Sequence, residues 1–295
     1  MRKYLVGFFE RFDFKQEDAA FLLAAYDTIM SDESNADAWK LALSIYENDI
    51  NCDYKKIADI ADEAGRRVRV HEYTSDLLIY ICMTKHCEDL YRERGIADVV
   101  FRDTMLDLKY QIDQCVAVKG VIGTFVPPGW FSGFFKLTKF AFGRLQFVAA
   151  PFEHSYEKNG KLLNEESKVL YVHIPRTGTP LLPEECDKSF LRAAEFYKNE
   201  ISAPIAFACH SWLLYPENKN ILKPESNTCR FMDRFDIIEE GVYKNNDPLW
   251  RVFDTEEQNL NRLTAKTSMQ RAYLAHLKNG GKMGYGLGVF FYSEG

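Results

Sequence analysis

No run of about 18 uncharged apolar residues occurs in the 295-residue chain, so no segment has the composition to span a bilayer. Charge of one sign is not in excess: 43 acidic against 37 basic residues, interspersed, give a formal net charge of −6. That balance excludes the broad positive field that binding along a nucleic-acid backbone needs. Internal repeats and low-complexity tracts are absent, and disorder, collagen and coiled coil are excluded with them. The seven cysteines (52, 82, 87, 115, 186, 209 and 229) are odd in number, far apart and set mostly among apolar neighbours. A disulfide framework is therefore a poor reading, and a cytoplasmic location is expected. Met1-Arg2-Lys3 and the apolar residues to Phe9 resemble the start of a signal peptide. Glu10, Arg11 and Asp13 cut that run short and no small-residue cleavage site follows, so secretion is not expected.

What is present is 46% hydrophobic residues, enough apolar material for more than one core. At roughly 100 to 200 residues per domain the length predicts two domains. To about residue 118 the chain reads as helix after helix. Ser34 or Asn35 is positioned to cap a segment with Trp39, Leu41, Leu43 and Ile45. Asp53 is positioned to cap the next, carrying Ile57, Ile60, Ala61 and Ala64 and stopped by Gly65. Thr74 or Ser75 starts a third, and Phe101, Met105, Leu108, Ile112 and Cys115 mark the apolar face of a fourth. Pro127-Pro128-Gly129 breaks the pattern, and the aromatic stretch from Trp130 to Phe142 reads as one further helix.

From Arg144 the pattern changes to short apolar runs. Leu145 to Ala150, Lys168 to Ile174, Ile205 to Leu214, Phe235 to Tyr243 and Met283 to Tyr292 read as strands, and Pro183 to Asn199, Ser226 to Arg234 and Ser268 to Asn279 as helices. Lys168 to Leu214 then forms one β-helix-β unit, whose strands are parallel neighbours.

Each chemical constellation has a structural alternative. Cys82 and His86 lie one helical turn apart and suit zinc, but Cys87 points about 100° away and no second pair lies nearby, so no metal site is expected. Gly284-x-Gly286-x-Gly288 has dinucleotide-loop spacing without a following helix. It reads as a strand with one bare face, which another backbone or a ligand approaches closely. Thr267-x-x-Gln270 is a capping box; Arg271 then sits at the electropositive end of its helix, where an anionic partner would offset the charge. The β-helix-β unit ends its strands in His173-Ile174-Pro175 and Cys209-His210-Ser211, at the carboxyl ends where α/β sheets open ligand crevices. Both imidazoles project from mostly apolar faces, either as satisfied core histidines or as bases for an amine or hydroxyl. Ser211 lacks the Gly-x-Ser-x-Gly setting of a hydrolase nucleophile.

Five short pieces then occur in order: Gly143-Arg144-Leu145-Gln146-Phe147, His173-Ile174-Pro175, Ser211-Trp212-Leu213-Leu214, Ser226-Asn227 with Arg230-Phe231, and Thr267-Ser268-Met269-Gln270-Arg271-Ala272. Together they resemble the bacterial acyltransferase-domain proteins built from an N-terminal helical domain and a C-terminal GNAT-like domain. The resemblance implies a two-domain α+β architecture: an all-α domain over 1–138 packed on a GNAT-like α/β domain over 139–295 with a mixed, partly parallel sheet. It implies acyl transfer from acetyl-CoA or another acyl-CoA to an amine, or alternatively a hydroxyl, acceptor. No nucleic-acid, membrane or metal partner is expected from the charge balance, the apolar runs and the ligand spacing. His210 or His173 is then the base, Ser211 a donor to the leaving thiolate or the substrate, and Arg176, Thr177, Gly178, Thr179 and Asn227 the cofactor-binding residues. Against the family's phosphate loop (Arg or Gln, two residues, Gly, one residue, Gly or Ala), Arg176-Thr177-Gly178-Thr179-Pro180 is one residue short and ends in proline. Glu184 and Glu185 in the next helix's first turn repel a diphosphate. A non-catalytic ligand-binding or interaction protein on a degenerate frame, with Trp130 to Phe142 as its contact surface, is the alternative.

Overall fold

Apolar residues three and four apart build the first part of the chain as seven helices: α1 (Arg2–Arg11), α2 (Gln16–Met30), α3 (Glu33–Asn48), α4 (Tyr54–Arg67), α5 (Glu72–Glu93), α6 (Asp98–Lys119) and α7 (Pro128–Phe135). The computed structural model describes residues 1–244 and 248–292, and the chain divides into two units, Met1–Phe140 and Ala141–Gly295. In the first, α5 is apolar all round from Leu77 to Met83 and buried along that whole length, as a helix enclosed by its neighbours must be. It touches every other helix of the unit. The predicted α6 face is buried at Phe101, Met105, Leu108, Ile112 and Cys115.

Several helix ends differ from the sequence reading. Asp53 caps α4 as expected, accepting from the Lys55 and Lys56 amides, but α3 is capped by Asp32, not by Ser34 or Asn35. The latter lies inside the helix and is buried. The α5 cap is His71, whose Nδ1 accepts from the Tyr73 amide; Thr74 instead turns inward and donates to the Ile122 carbonyl at 2.7 Å. Gly65 does not stop α4, which runs to Arg67. A Cβ there would stand 2.1 Å from Ser75 Oγ, so the glycine lets the start of α5 approach. The stretch from Trp130 to Phe142 is not one helix: α7 ends at Phe135, Leu137 takes a positive φ of 56°, and β1 (Lys139–Ala141) follows.

The second unit adds β2 (Gln146–Pro151), β3 (Tyr156–Lys158), β4 (Lys161–Leu163), β5 (Lys168–His173), α8 (Pro183–Tyr197) and β6 (Ala206–Ser211). After a 3₁₀ turn (Trp212–Leu214) come α9 (Asn218–Ile221), α10 (Asn227–Met232), β7 (Asp236–Val242), α11 (Leu249–Phe253), α12 (Ser268–Lys278) and β8 (Gly284–Phe291). The sheet order is β1-β2-β5-β6-β8-β7, mixed, with β5 and β6 parallel as the β-helix-β reading requires. On the α8 side Phe190 meets Phe147 and Phe207 edge-on, with ring centroids at 5.9 and 4.8 Å. The other side buries Val169, Ala206, Ala208 and Val289 under Phe152 and Tyr156. The β3–β4 hairpin turns at Asn159-Gly160, both at positive φ as a tight primed turn demands. The Tyr156 hydroxyl donates to Asp236 of β7, and Lys158 pairs with the same carboxylate at 2.6 Å. The capping box of α12 forms as predicted, with reciprocal bonds between Thr267 and Gln270.

Candidate active site

Parallel strands β5 and β6 pair at Leu170 with Phe207 and Tyr171 with Ala208, and then stop pairing, although β5 continues to His173 and β6 to Ser211. Their outer ladders continue: β2 holds β5 as far as His173 opposite Gln146, and β8 holds β6 as far as Ser211 opposite Gly286. Each strand therefore stays fixed on its far side while the two part from each other, which opens a gap at their carboxyl ends.

His173 and His210 each lie two residues beyond the last pair. Strand alternation places both on one sheet face, on opposite sides of the gap, above Tyr171 and Ala208. His210 is exposed, with the Tyr285 ring 4.8 Å away and Tyr243 a further 5.5 Å beyond that ring. His173 is half-buried. Ser211 falls on the opposite face, where its Oγ accepts from the Leu213 amide at 3.2 Å and caps the 3₁₀ turn. The structure thus brings the two histidines to one gap and sets Ser211 at its edge.

The segment from Ile174 to Leu182 connects β5 to α8. Arg176 is ion-paired with Asp254, which occupies the left-handed C-cap of α11. Thr177 and Thr179 bond through their hydroxyls at 2.7 Å, and Gly178 between them takes φ +75°. Two arginines that the spacing of motifs did not assign hold this region. Arg144 Nη1 donates to the Pro175 carbonyl at 2.9 Å, and Arg234 Nη2 donates to the Pro183 carbonyl at 3.0 Å and to Asp187 at 2.6 Å. Sequence spacing carries no signal for them, because their partners are tens of residues distant. Burial pushes the Cys186 thiol in the first turn of α8 up to about 11, with Arg234 and Arg144 acting in the opposite direction.

No side chain caps the start of α8, so its first-turn amides are available to an anion. The repulsion expected from Glu184 and Glu185 is offset locally, since Glu185 is paired with Lys188 at 2.7 Å and the two guanidinium groups flank the same turn. Asn227 opens α10, which contacts α8; Ser226 caps it by accepting from the Cys229 amide at 3.2 Å. Amide donors, the Arg144 guanidinium, two threonine hydroxyls and an open seam between strands fit an acyl-CoA, while Arg234 is held by Asp187. Arg176 fits it only by releasing Asp254.

The glycine strand takes its structural reading. A Cβ on Gly286 would stand 2.3 Å from the Leu214 carbonyl oxygen, and one on Gly288 2.7 Å from Phe235 Cβ and 2.9 Å from Leu214 Cδ1, so the bare face receives the 3₁₀ turn and its neighbours. Arg271 donates to the Lys266 carbonyl at 3.0 Å, a backbone partner in place of the anion that its position suggested. Cys82 and Cys87 are buried core thiols, both pushed up to about 12 by desolvation. Among the described residues no group of three or more His, Cys, Asp and Glu is placed to hold a metal ion, and no helix is long and apolar enough to cross a membrane.

Residues 140–290 match the family described as GNAT-like C-terminal domain, and residues 3–137 the N-acyltransferase N-terminal domain. No curated protein matches the chain by sequence. Solved structures with the same fold include an acyltransferase mutant in complex with octanoyl-CoA, 22% identical with a TM-score of 0.74 over 99% of this chain and 88% of that one. An acyltransferase in complex with decanoyl-CoA and teicoplanin is 22% identical with a TM-score of 0.72, over 97% of this chain and 87% of that one. An acyltransferase with CoA and 10C-teicoplanin is 21% identical with a TM-score of 0.71, over the same shares of 97% and 87%.

Proposed function

The chain belongs to the acyltransferase family defined by its GNAT-like C-terminal domain, here preceded by an N-acyltransferase N-terminal domain, and we propose that it moves an acyl group from an acyl-CoA to an amine. The observation that carries this reading is the parting of β5 and β6 after two residue pairs, with a histidine on each side of the gap. The structural relatives bound to octanoyl-CoA and decanoyl-CoA support a medium-chain donor in preference to acetyl-CoA.

The thioester, when bound, supplies an acyl group already activated for transfer, so the protein's part is positioning and proton movement. First-turn amides of α8, with Arg144, Thr177, Gly178, Thr179 and Asn227 around them, hold the diphosphate. Arg176 joins them once it leaves Asp254. His210, exposed at the gap, takes the proton that the amine nitrogen must lose as the C–N bond forms and the C–S bond breaks; His173 faces it and is the second candidate for that role. Ser211 lies at the edge of the gap on the opposite sheet face, where it accepts from the Leu213 amide, so it reaches the departing sulfur only if the leaving group sits within the seam.

Isothermal titration of the intact chain with acetyl-, octanoyl- and decanoyl-CoA tests the reading. Saturable heat with at least one of them is expected, tighter with the longer chains. No heat with any of the three removes the transferase reading and leaves a non-catalytic binding protein on the same frame.

A further inference from the structure

A recess of about 500 Å³ lies between α1 and α5, within the first unit and far in sequence from the strands that carry the histidines. Two ties hold these helices side by side. The Tyr4 hydroxyl and Thr84 Oγ1 share a hydrogen bond at 2.8 Å, and about two turns further along α1 Arg11 Nη1 donates to Glu88 at 2.7 Å. Gly7 stands between the ties, exposed, and a Cβ there would meet nothing within 4 Å. The missing side chain leaves the space open. Phe8, 3% exposed, forms its floor, and the half-buried Tyr4 ring, 6.1 Å from that of Phe8, forms one wall.

Lys3, Arg11 and Lys85 also line the recess, and no carboxylate does. In a chain with 43 acidic and 37 basic residues this is a local inversion of sign. Arg11 contributes little to it, because Glu88 and Asp98 both hold its guanidinium. Lys3 and Lys85 are different: both are exposed, and neither has an ion pair or side-chain hydrogen bond to a described residue. Lysines scattered on a flat surface are merely solvated, whereas two of them on the walls of one concavity focus a positive potential into it.

Two unpaired ammonium groups match a dianion. A phosphate monoester carries nearly two negative charges and three acceptor oxygens, and lysine binds it as a point charge. The aromatic floor and wall favour an ester whose organic part is flat and apolar over the bare ion. We propose that this recess binds a small phosphate monoester with an aromatic body, its phosphate held by Lys3 and Lys85 and its body laid over Gly7 against Tyr4 and Phe8. The site is separate from the acyl-transfer gap and does not depend on that reading.

The test titrates the full chain with phenyl phosphate by isothermal calorimetry, at about pH 8 so that the ester is a dianion and at low ionic strength. Inorganic phosphate, which lacks the ring, and benzylammonium chloride, which has the ring and the opposite charge, serve as comparators. Phenyl phosphate should bind saturably and more tightly than inorganic phosphate, and benzylammonium should not bind. Lys3→Gln and Lys85→Gln should each weaken binding about three- to fivefold, and the double variant about tenfold or more. Their melting temperatures should match the parent, because both side chains are exposed. Gly7→Leu fills the recess and leaves both charges in place; it should weaken binding about tenfold, while the melting temperature holds or rises because leucine is the better helix former. No binding of phenyl phosphate, equal binding of benzylammonium, inorganic phosphate as tight as the ester, or unchanged affinity in either the double lysine variant or Gly7→Leu would overturn the proposal.

Discussion

Gly286→Ala separates a glycine kept for backbone packing from one kept for a ligand. The added methyl would stand 2.3 Å from the Leu214 carbonyl oxygen and 2.9 Å from its carbonyl carbon. Backbone atoms cannot rotate aside, and Leu214 is itself fully buried, so the 3₁₀ turn or strand β8 must move by about an ångström to restore ordinary contact. Overpacking of this kind costs about 1–3 kcal/mol. At ~2–4 °C per kcal/mol for a unit of this size, the melting temperature falls by roughly 2–12 °C. The same displacement strains the bond from the Leu213 amide to Ser211 Oγ, so acyl-CoA turnover falls along with stability. Gly7→Ala is the control, because nothing lies within 4 Å of a Cβ there and the position is an exposed turn of α1. It should stabilise by roughly 0.5–1 kcal/mol. Differential scanning calorimetry of both variants decides the matter. A Gly286→Ala protein that melts with the parent but loses acyl-CoA affinity would refute the packing argument and make the bare strand face a ligand surface.

Three other outcomes follow from the geometry. His210 is exposed, so His210→Ala should change stability by no more than about 0.5 kcal/mol while turnover drops about 10²–10⁴-fold; a lower melting point with intact turnover would make it a packing residue and shift the base to His173. Glu184→Gln with Glu185→Gln removes two carboxylates from the first turn of α8; if the diphosphate sits there, acyl-CoA binding should tighten, by less than about tenfold because Lys188 already pairs with Glu185; unchanged affinity by titration calorimetry places the diphosphate elsewhere. The folded values of Asp62 and Asp76, about 7 and about 8, exceed the unfolded value of 3.8, so the folded state holds protons that the unfolded state releases. Stability from this pair is fully present below the unfolded value of 3.8 and is lost as pH rises from there to the folded values of about 7 and about 8. Asp76→Asn should flatten that decline in melting curves taken across the range, and curves parallel to those of the parent would show that the carboxylate is not perturbed.

Periodicity made α6 legible, because its apolar residues recur every three or four positions and each is buried. The β5-α8-β6 unit was legible for a related reason: two short apolar runs flank a polar helix start at Pro183, and handedness makes the strands parallel neighbours. The stretch from Trp130 to Phe142 reads as one helix in the sequence because its aromatic residues, interrupted by Ser132, Lys136, Thr138 and Lys139, keep neither a helical nor a strand period, and the break is a single positive φ at Leu137. Helix starts were blurred where several capping residues stand together; Asp32 precedes Ser34 and Asn35, and only tertiary burial of Asn35 selects between them. The site was half visible. The two histidines stand at strand ends in the sequence itself, but their opposition depends on where a ladder stops, which no single strand encodes. Arg176 with Asp254, Arg144 over Pro175, and Asp62 beside Asp76 are products of chain crossings, invisible to any spacing rule.

The ladder that joins β5 to β6 is two residue pairs long, between neighbours paired over six pairs on each side. The sheet is consequently two three-stranded leaves, β1-β2-β5 and β6-β8-β7, joined by a short stitch and bridged by α8. A thicker occupant prises at that stitch and leaves the interior of either leaf intact. Substitutions that reshape one wall can therefore accumulate without refitting the other, and the tolerated girth of an acyl tail becomes a property adjustable one leaf at a time.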